Sequence, residues 1–514
     1  MTSCSCGNLQ NFSVTSPKPK PCKLASGRPC ASCLELENFD REAQAILERL
    51  SENRRRILEK INQRHDPFIQ HLPLELASQV FHFCIPPWDP DEDPCFISLL
   101  WSRSKQRYIT PFNIVLGAIC RAWRQVAWST PKLWSTLPIA LHRRGDRKYE
   151  ELVLEWLGRS AQTPLDVFLV HMRGLASVQL TEEYVDLWKP LIDIANGCSS
   201  RWKTLNVHAS DLVLAYITGD GHGTCILEYL KVVGSDGRFD SYRFSLTNAV
   251  PMPSQLVSIS MPLRSIDIDW SNLITIEIGE LYVNEILVFL RWVPRLTRCT
   301  LNSLEDGEDE HSPPPMPTHH HALQKLDIRA LDEQQTAEQL LNLLILPSLI
   351  YLLHDSGYNS PENVAAFLDR SACKLITLYD LNGDYHDLLA LAPHLQALER
   401  LEYPGFLGDN VQLPIQGDGI GRNILPNLRE LSIHSGCVSW CVLVNLILLC
   451  HPKALSIYIE ETSPDDDDFF VDKESSYRFQ DFIQNGYNIK ITCRVGDERE
   501  DRDLLAWFAQ SRMS

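Results

Sequence analysis

No uninterrupted apolar run in this chain approaches the ~20 residues that span a bilayer. The opening thirteen residues lack a basic start followed by an apolar stretch, so no secretory signal is expected. Also missing are the G-x-S-x-G elbow, the H-E-x-x-H zinc pair, the Walker phosphate loop and G-x-G-x-x-G. GDGHGT at 219–224 and GDGIGR at 417–422 are glycine-rich but wrongly spaced for phosphate binding, and read as loops. No cysteine has an identifiable activating neighbour. These absences point away from an enzyme, a cofactor and a membrane span. The expected location is the cytoplasm or nucleus.

The chain has 514 residues, 44% hydrophobic and 22% charged, so most of it should fold. At roughly 150 residues per domain, this length predicts two to four units, or one small domain plus a repeat array. The formal charge is −18. Residues 1–71 hold 11 Lys+Arg against 8 Asp+Glu, a net of +3, so the remainder carries −21. So acidic a body is a poor nucleic-acid binder. The charge either serves solubility or favours basic partners.

Sixteen cysteines run from Cys4 to Cys493, and several, such as Cys441 and Cys450, sit in apolar runs. That pattern reads as reduced, buried thiols rather than a disulfide framework. Cys30 and Cys33 have zinc-ligand spacing, with Cys4, Cys6 and Cys22 upstream. The Cys-x-Cys at 4–6 and the Ser/Pro-rich context argue against a closed four-ligand site. His319, His320 and His321 read as part of a solvated loop, so no metal is expected.

Residues 1–33 lack periodicity and read as disordered. Residues 34–65 read as an amphipathic helix through Phe39, Ala43, Ile46, Leu50, Ile57 and Ile61, with Asn53 breaking the stripe. It forms either a short coiled coil or a helix packed on its own protein. A compact helical unit follows at 66–140, interrupted by an insertion at 86–110. Residues 141–514 carry a long-period pattern, with acidic loops at 305–321 and 463–468.

That pattern is apolar-x-x-apolar-x-apolar. It recurs from Trp202, Leu227, Leu263, Leu273, Leu296, Leu323, Leu349, Leu375, Leu398, Leu428 and Pro452. From 296 to 452 the mean interval is 26 residues, within the 20–29 of leucine-rich repeats. Helical stretches lie between, as from Asn284, Glu333, Pro361 and Val438. Alternate strand positions are polar: Ser265, Asp267 and Asp269; Lys325, Asp327 and Arg329; Glu430, Ser432 and His434. A doubly wound sheet, covered on both faces, would read as continuous apolar runs. A repeat solenoid with one open face fits better. The usual Asn or Cys after the strand is not evident, and Leu304, Leu331 and Gly436 stand there.

Residues 72–84, LPLELASQVFHFC, place Leu72, Leu76, Val80 and Phe81 at helical spacing. After the insertion, TPFNIVLGAICRAWRQVAWSTPKLW at 110–134 forms a second apolar stripe, and Leu133-Trp134 can fold back on it. The run from Leu72-Pro73 through Glu75-Leu76, Val80-Phe81, Cys120-Arg121, Trp123-Arg124 and Leu133-Trp134 resembles the F-box. It resembles in particular the expanded F-box families of mushroom-forming fungi, apart from the insertion of roughly 25 residues. The expected fold class is therefore α/β. An N-terminal helix and a small all-α F-box precede an irregular leucine-rich-repeat-like solenoid with a parallel sheet.

The resemblance implies a substrate-recognition adaptor of a Skp-cullin-F-box type ubiquitin ligase. The F-box would dock a Skp-family adaptor, and through it a cullin, by Leu72, Pro73, Leu76, Ile119, Cys120, Trp123, Leu133 and Trp134. The alternative for Trp123 and Trp134 is internal core. The repeats would hold a protein substrate at Lys325, Asp327, Arg329, Glu430, Ser432 and His434, unless that face is merely solvated. The alternative function is a ligase-independent interaction scaffold built on the repeats.

Overall fold

A computed structural model of the chain describes residues 30–65, 72–85, 112–141, 147–171, 182–220, 226–234, 243–246, 254–259, 263–279, 281–305, 317–329, 334–354, 360–380, 385–403, 424–433, 440–450, 454–461, 473–495 and 502–503. The expected 86–110 insertion, the 463–468 loop, residues 1–29 and His434 lie outside these. The described residues form two compact units: those up to Ile85 with Phe112–Trp128, and those from Ser129 onward.

The first unit is helical: α1 (Ala31–His65), α2 (Leu74–Phe83), α3 (Phe112–Ile119) and α4 (Arg121–Ser129, up to Trp128). α1 begins three residues before the expected start, because the Leu34 N–H already reaches the Cys30 carbonyl at 3.0 Å. Pro73 stands at the N-cap of α2, where its carbonyl accepts the Ala77 N–H at 3.0 Å. Ala77, Phe81, Leu116, Val126 and Ala127 are buried.

The second unit is built on one long sheet. Its strands are β1 (Thr136–Leu141), β2 (Leu165–His171), β3 (Trp202–Ala209), β4 (Tyr229–Gly234), β5 (Gln255–Ile259), β6 (Thr275–Ile278), β7 (Arg298–Leu301), β8 (Lys325–Ile328), β9 (Tyr351–His354), β10 (Thr377–Asp380), β11 (Arg400–Tyr403), β12 (Glu430–Ile433), β13 (Ala454–Glu461), β14 (Asn488–Val495) and β15 (Arg502–Asp503). The first fourteen are parallel, each paired with its neighbours in chain order, and β15 is antiparallel to β14. Doubly wound sheets reverse strand order at a switch point; this sheet has no reversal. Helices α5 (Arg147–Arg159), α6 (Glu182–Asn196), α7 (Val283–Trp292), α8 (Gln334–Leu343), α9 (Pro361–Ser371), α10 (Tyr385–Leu391), α11 (Trp440–Cys450) and α12 (Lys473–Gln484) connect strands. The chain is a mixed α/β protein with an N-terminal helix and a long parallel sheet.

The recurring pattern explains the central strands. In β8 Leu326 and Ile328 are buried, as is Leu323 just before it, while Lys325 and Asp327 between them stay partly exposed. Each such buried leucine contributes about 2 kcal/mol of transfer free energy. Leu296, Leu349, Leu375, Leu398 and Leu428 repeat the role of Leu323.

Four expectations need correction. The unit from Leu263 is not a main-sheet strand. Ile266–Asp267 pairs with Phe244–Ser245 in a separate small sheet, Ser265 is buried, and Asp269 accepts from the Ser271 N–H at 3.0 Å. β5 takes its place in the sheet. Second, β1 and β2 precede the pattern and are not open on one face: Phe168 and Val170 pack with Ala140 and Tyr149. Their sequences, TLPIAL and LDVFLVH, are the continuous apolar runs of a covered strand. Third, His320 is not solvated. Buried, it accepts the Leu323 N–H at Nδ1 (3.1 Å), so Nε2 donates to the Val293 carbonyl (2.9 Å), and burial lowers its pKa. Fourth, residues 129–140 belong to the sheet unit rather than to the helical one.

Candidate functional site

The short helices of the helical unit each bury apolar side chains and leave others exposed. In α2 the inward stripe is Ala77 and Phe81, and Phe81 packs against the Trp123 ring of α4 at 4.8 Å between centroids. The other stripe is Leu76, Val80 and Phe83, at i, i+4 and i+7, and all three are exposed. In α3 Leu116 is buried, while Phe112, Val115 and Ile119 are exposed at i, i+3 and i+7. Trp128 at the end of α4 is also open, at 44% exposure, with Arg124 over its ring at 5.5 Å. The Arg124 Nε donates to the Gly117 carbonyl at 2.7 Å and ties α4 to α3. Gly117 keeps that junction close: a Cβ there would meet the Trp128 Nε1 at 3.2 Å.

Of the expected docking residues, Pro73, Leu76 and Ile119 are exposed, and Leu72, Cys120 and Trp123 are half-buried. The Cys120 sulfur accepts the Trp123 N–H at 3.4 Å, a helix-start contact. Leu133 and Trp134 are corrected: both are buried within the sheet unit and present no surface. The reason is local packing. Trp134 meets Trp156 of α5 edge-on, and Arg159 lies over its ring at 4.6 Å. Phe83 and Trp128 lie outside both stripes expected from the sequence, though the i, i+4, i+7 spacing of Leu76, Val80 and Phe83 is a legible signal.

The second surface is the open face from β6 to β13. Parallel register aligns its side chains in two rows. One runs Thr275, Arg298, Lys325, Tyr351, Thr377, Arg400, Glu430 and Ser456. The next runs Glu277, Thr300, Asp327, Leu353, Tyr379, Glu402, Ser432 and Tyr458, and is interrupted by the buried Leu353. The first row carries three bases and one acid; the second carries three acids and no base. Lys325 sits over the Tyr351 ring at 5.0 Å, and Arg400 pairs with Glu430 at 2.5 Å. Arg329 folds back to Asp327 at 3.0 Å. Burial pushes the Tyr351 hydroxyl up to about 12, aided by the negative charges of Asp327 and Glu402. The structure thus brings Lys325, Asp327, Arg329, Glu430 and Ser432 onto one sheet face.

Among the described residues no group of three or more His, Cys, Asp or Glu could hold a metal ion, and no helix is long and apolar enough to cross a membrane. Cys299 and Cys450 are buried, and burial pushes their thiols up to about 12, which makes them poor nucleophiles at neutral pH. No protein-family model matches this chain, and comparison with curated proteins finds no significant match.

Proposed function

We propose that this chain is a substrate-recognition adaptor of a Skp-cullin-F-box type ubiquitin ligase. Its helical unit is an F-box that docks a Skp-family adaptor. Its sheet unit is an irregular leucine-rich-repeat solenoid that holds a protein target. One observation carries the reading: Leu76, Val80, Phe83, Val115, Ile119 and Trp128 stand exposed on three short helices whose own core is formed by other residues, Ala77, Phe81, Leu116, Val126 and Ala127. So many open apolar side chains on so small a unit mark a protein contact. The solenoid reading rests on fourteen parallel strands in chain order and the buried leucines Leu296, Leu323, Leu349, Leu375, Leu398 and Leu428 at the start of successive repeats. The adaptor contributes proximity rather than chemistry, holding a target lysine near a charged ubiquitin-conjugating enzyme.

The burial of Leu133 and Trp134 favours a second reading, a repeat scaffold without a ligase, because two expected docking residues are withdrawn. Pull-down of the full chain with a purified Skp-family adaptor separates the two. Binding that is lost on Leu76→Asp with Ile119→Asp supports the ligase adaptor. No binding by the wild-type chain leaves the scaffold.

A further inference from the structure

Helix α1 is 35 residues long, about 52 Å, yet no described side chain along it is buried. A helix draws most of its stability from packing an apolar face. That face is present and uncovered. Leu36, Phe39, Ala43, Ile46, Leu50, Asn53 and Ile57 alternate in steps of three and four, the seam of a two-stranded coiled coil. The five large apolar members are each 43–66% exposed.

The charges flanking this seam are sorted. With Leu36 at position a, the e and g positions of the first half are Glu35, Asp40 and Glu42, all acidic. Those of the second half include Arg49, Arg54 and Arg56, all basic. A parallel pair sets each g residue beside the e residue five positions later on the other helix. That would place Glu35 against Asp40 and Arg49 against Arg54, both repulsive. An antiparallel pair sets acidic halves against basic halves. In the register that stacks Phe39 on Ile57 and Ile46 on Leu50 of the second copy, Asp40 meets Arg54 and Glu42 meets Arg56, four attractive pairs in all against one repulsive Arg49–Arg49 contact at the twofold axis. Sliding by one heptad exchanges these for Glu35 with Arg56 and Glu42 with Arg49, still attractive. Twofold symmetry makes each pair twice. Arg56 also reaches Glu52 of its own helix at 3.2 Å, an exposed pair that a second carboxylate can share.

We infer that α1 is a self-association helix: it pairs antiparallel with α1 of a second copy, acidic half on basic half, making the protein a dimer. The inference is independent of the ligase reading. It predicts a dimer of the full chain by sedimentation velocity at micromolar concentration. Glu35→Arg, Asp40→Arg and Glu42→Arg together turn every attractive flank repulsive and should weaken self-association roughly a hundredfold. Adding Arg49→Glu, Arg54→Glu and Arg56→Glu to the same chain swaps the two halves and should restore the dimer, which also shows that the triple variant had not simply misfolded. A monomeric wild-type chain at tens of micromolar overturns the inference. So does a dimer indifferent to the triple substitution, or a sixfold variant that stays monomeric.

Discussion

The Trp156 indole N–H donates to the Trp134 carbonyl at 3.0 Å, and the two rings meet edge-on with centroids 5.0 Å apart. This pair anchors the start of the sheet unit: Trp134 is fully buried just before β1, and Trp156 lies on α5, the first helix after it. Trp134→Ala should therefore cost about 3–5 kcal/mol of sheet-unit stability. Adaptor affinity of molecules that remain folded should stay unchanged. Thermal unfolding and a binding titration on the same variant check both halves; a large loss of affinity without a loss of stability would return Trp134 to the docking face.

The exposed stripe makes the opposite prediction. Leu76→Ala with Ile119→Ala removes side chains that are 45% and 53% exposed, so the unfolding midpoint should move less than for a core truncation. Affinity for a Skp-family adaptor should fall by about 2–4 kcal/mol. Calorimetry with purified adaptor measures it; unchanged affinity would mean the stripe serves another contact.

His354 sits in β9 beside Ile328, in the buried row of the sheet, and burial pushes its pKa down to about 4. An unfolded histidine titrates near 6.5. Between those values the unfolded chain binds more protons, so stability rises with pH across that window. The contribution is complete above pH ~6.5 and is lost as pH falls toward 4, up to about 3 kcal/mol. His354→Leu should flatten this part of the curve. Parallel pH profiles for wild type and variant would refute the assignment.

Arg400 and Glu430 are each about half exposed, and such pairs contribute roughly 0–1 kcal/mol. Arg400→Ala should leave stability nearly unchanged. Charge removal along the acidic row, Glu277→Gln with Glu402→Gln, should likewise spare the fold while changing which proteins co-purify with the full chain. A collapse of the unfolding transition would show that this face is structural rather than a reading surface.

Much of the architecture was legible because it repeats. Leu296, Leu323, Leu349, Leu375, Leu398 and Leu428 announce their strands, and β7 to β12 each begin two residues after such a position. The 1:1 alternation in KLDI or ELSI records one covered and one open face. β1 and β2 were missed because a strand covered on both faces loses alternation, and a short apolar run is then ambiguous between strand and helix. LRSIDI was misread because three apolar residues at the right spacing also suit a 3-10 turn feeding a two-residue bridge. His320 reads as loop because histidines beside prolines look like loop, whereas the Leu323 N–H and the carbonyl of Val293, 27 residues away, give that ring a reason to be buried.

What the sequence determined by itself is the periodic part: the helix seam from Leu36 to Ile57, the leucine spacing and the segregation of charge. Those depend on side-chain order along a local element, and local geometry fixes which residues share a face. What tertiary structure decided is ownership. Leu133 and Trp134 are as apolar as Ile119, yet both are buried in the sheet unit, where Trp156 and Arg159 fold over the Trp134 ring. The two charge rows also exist only through register, since Arg298, Lys325 and Arg400 are far apart in the chain and fall into one row only when β7 to β11 stack in parallel.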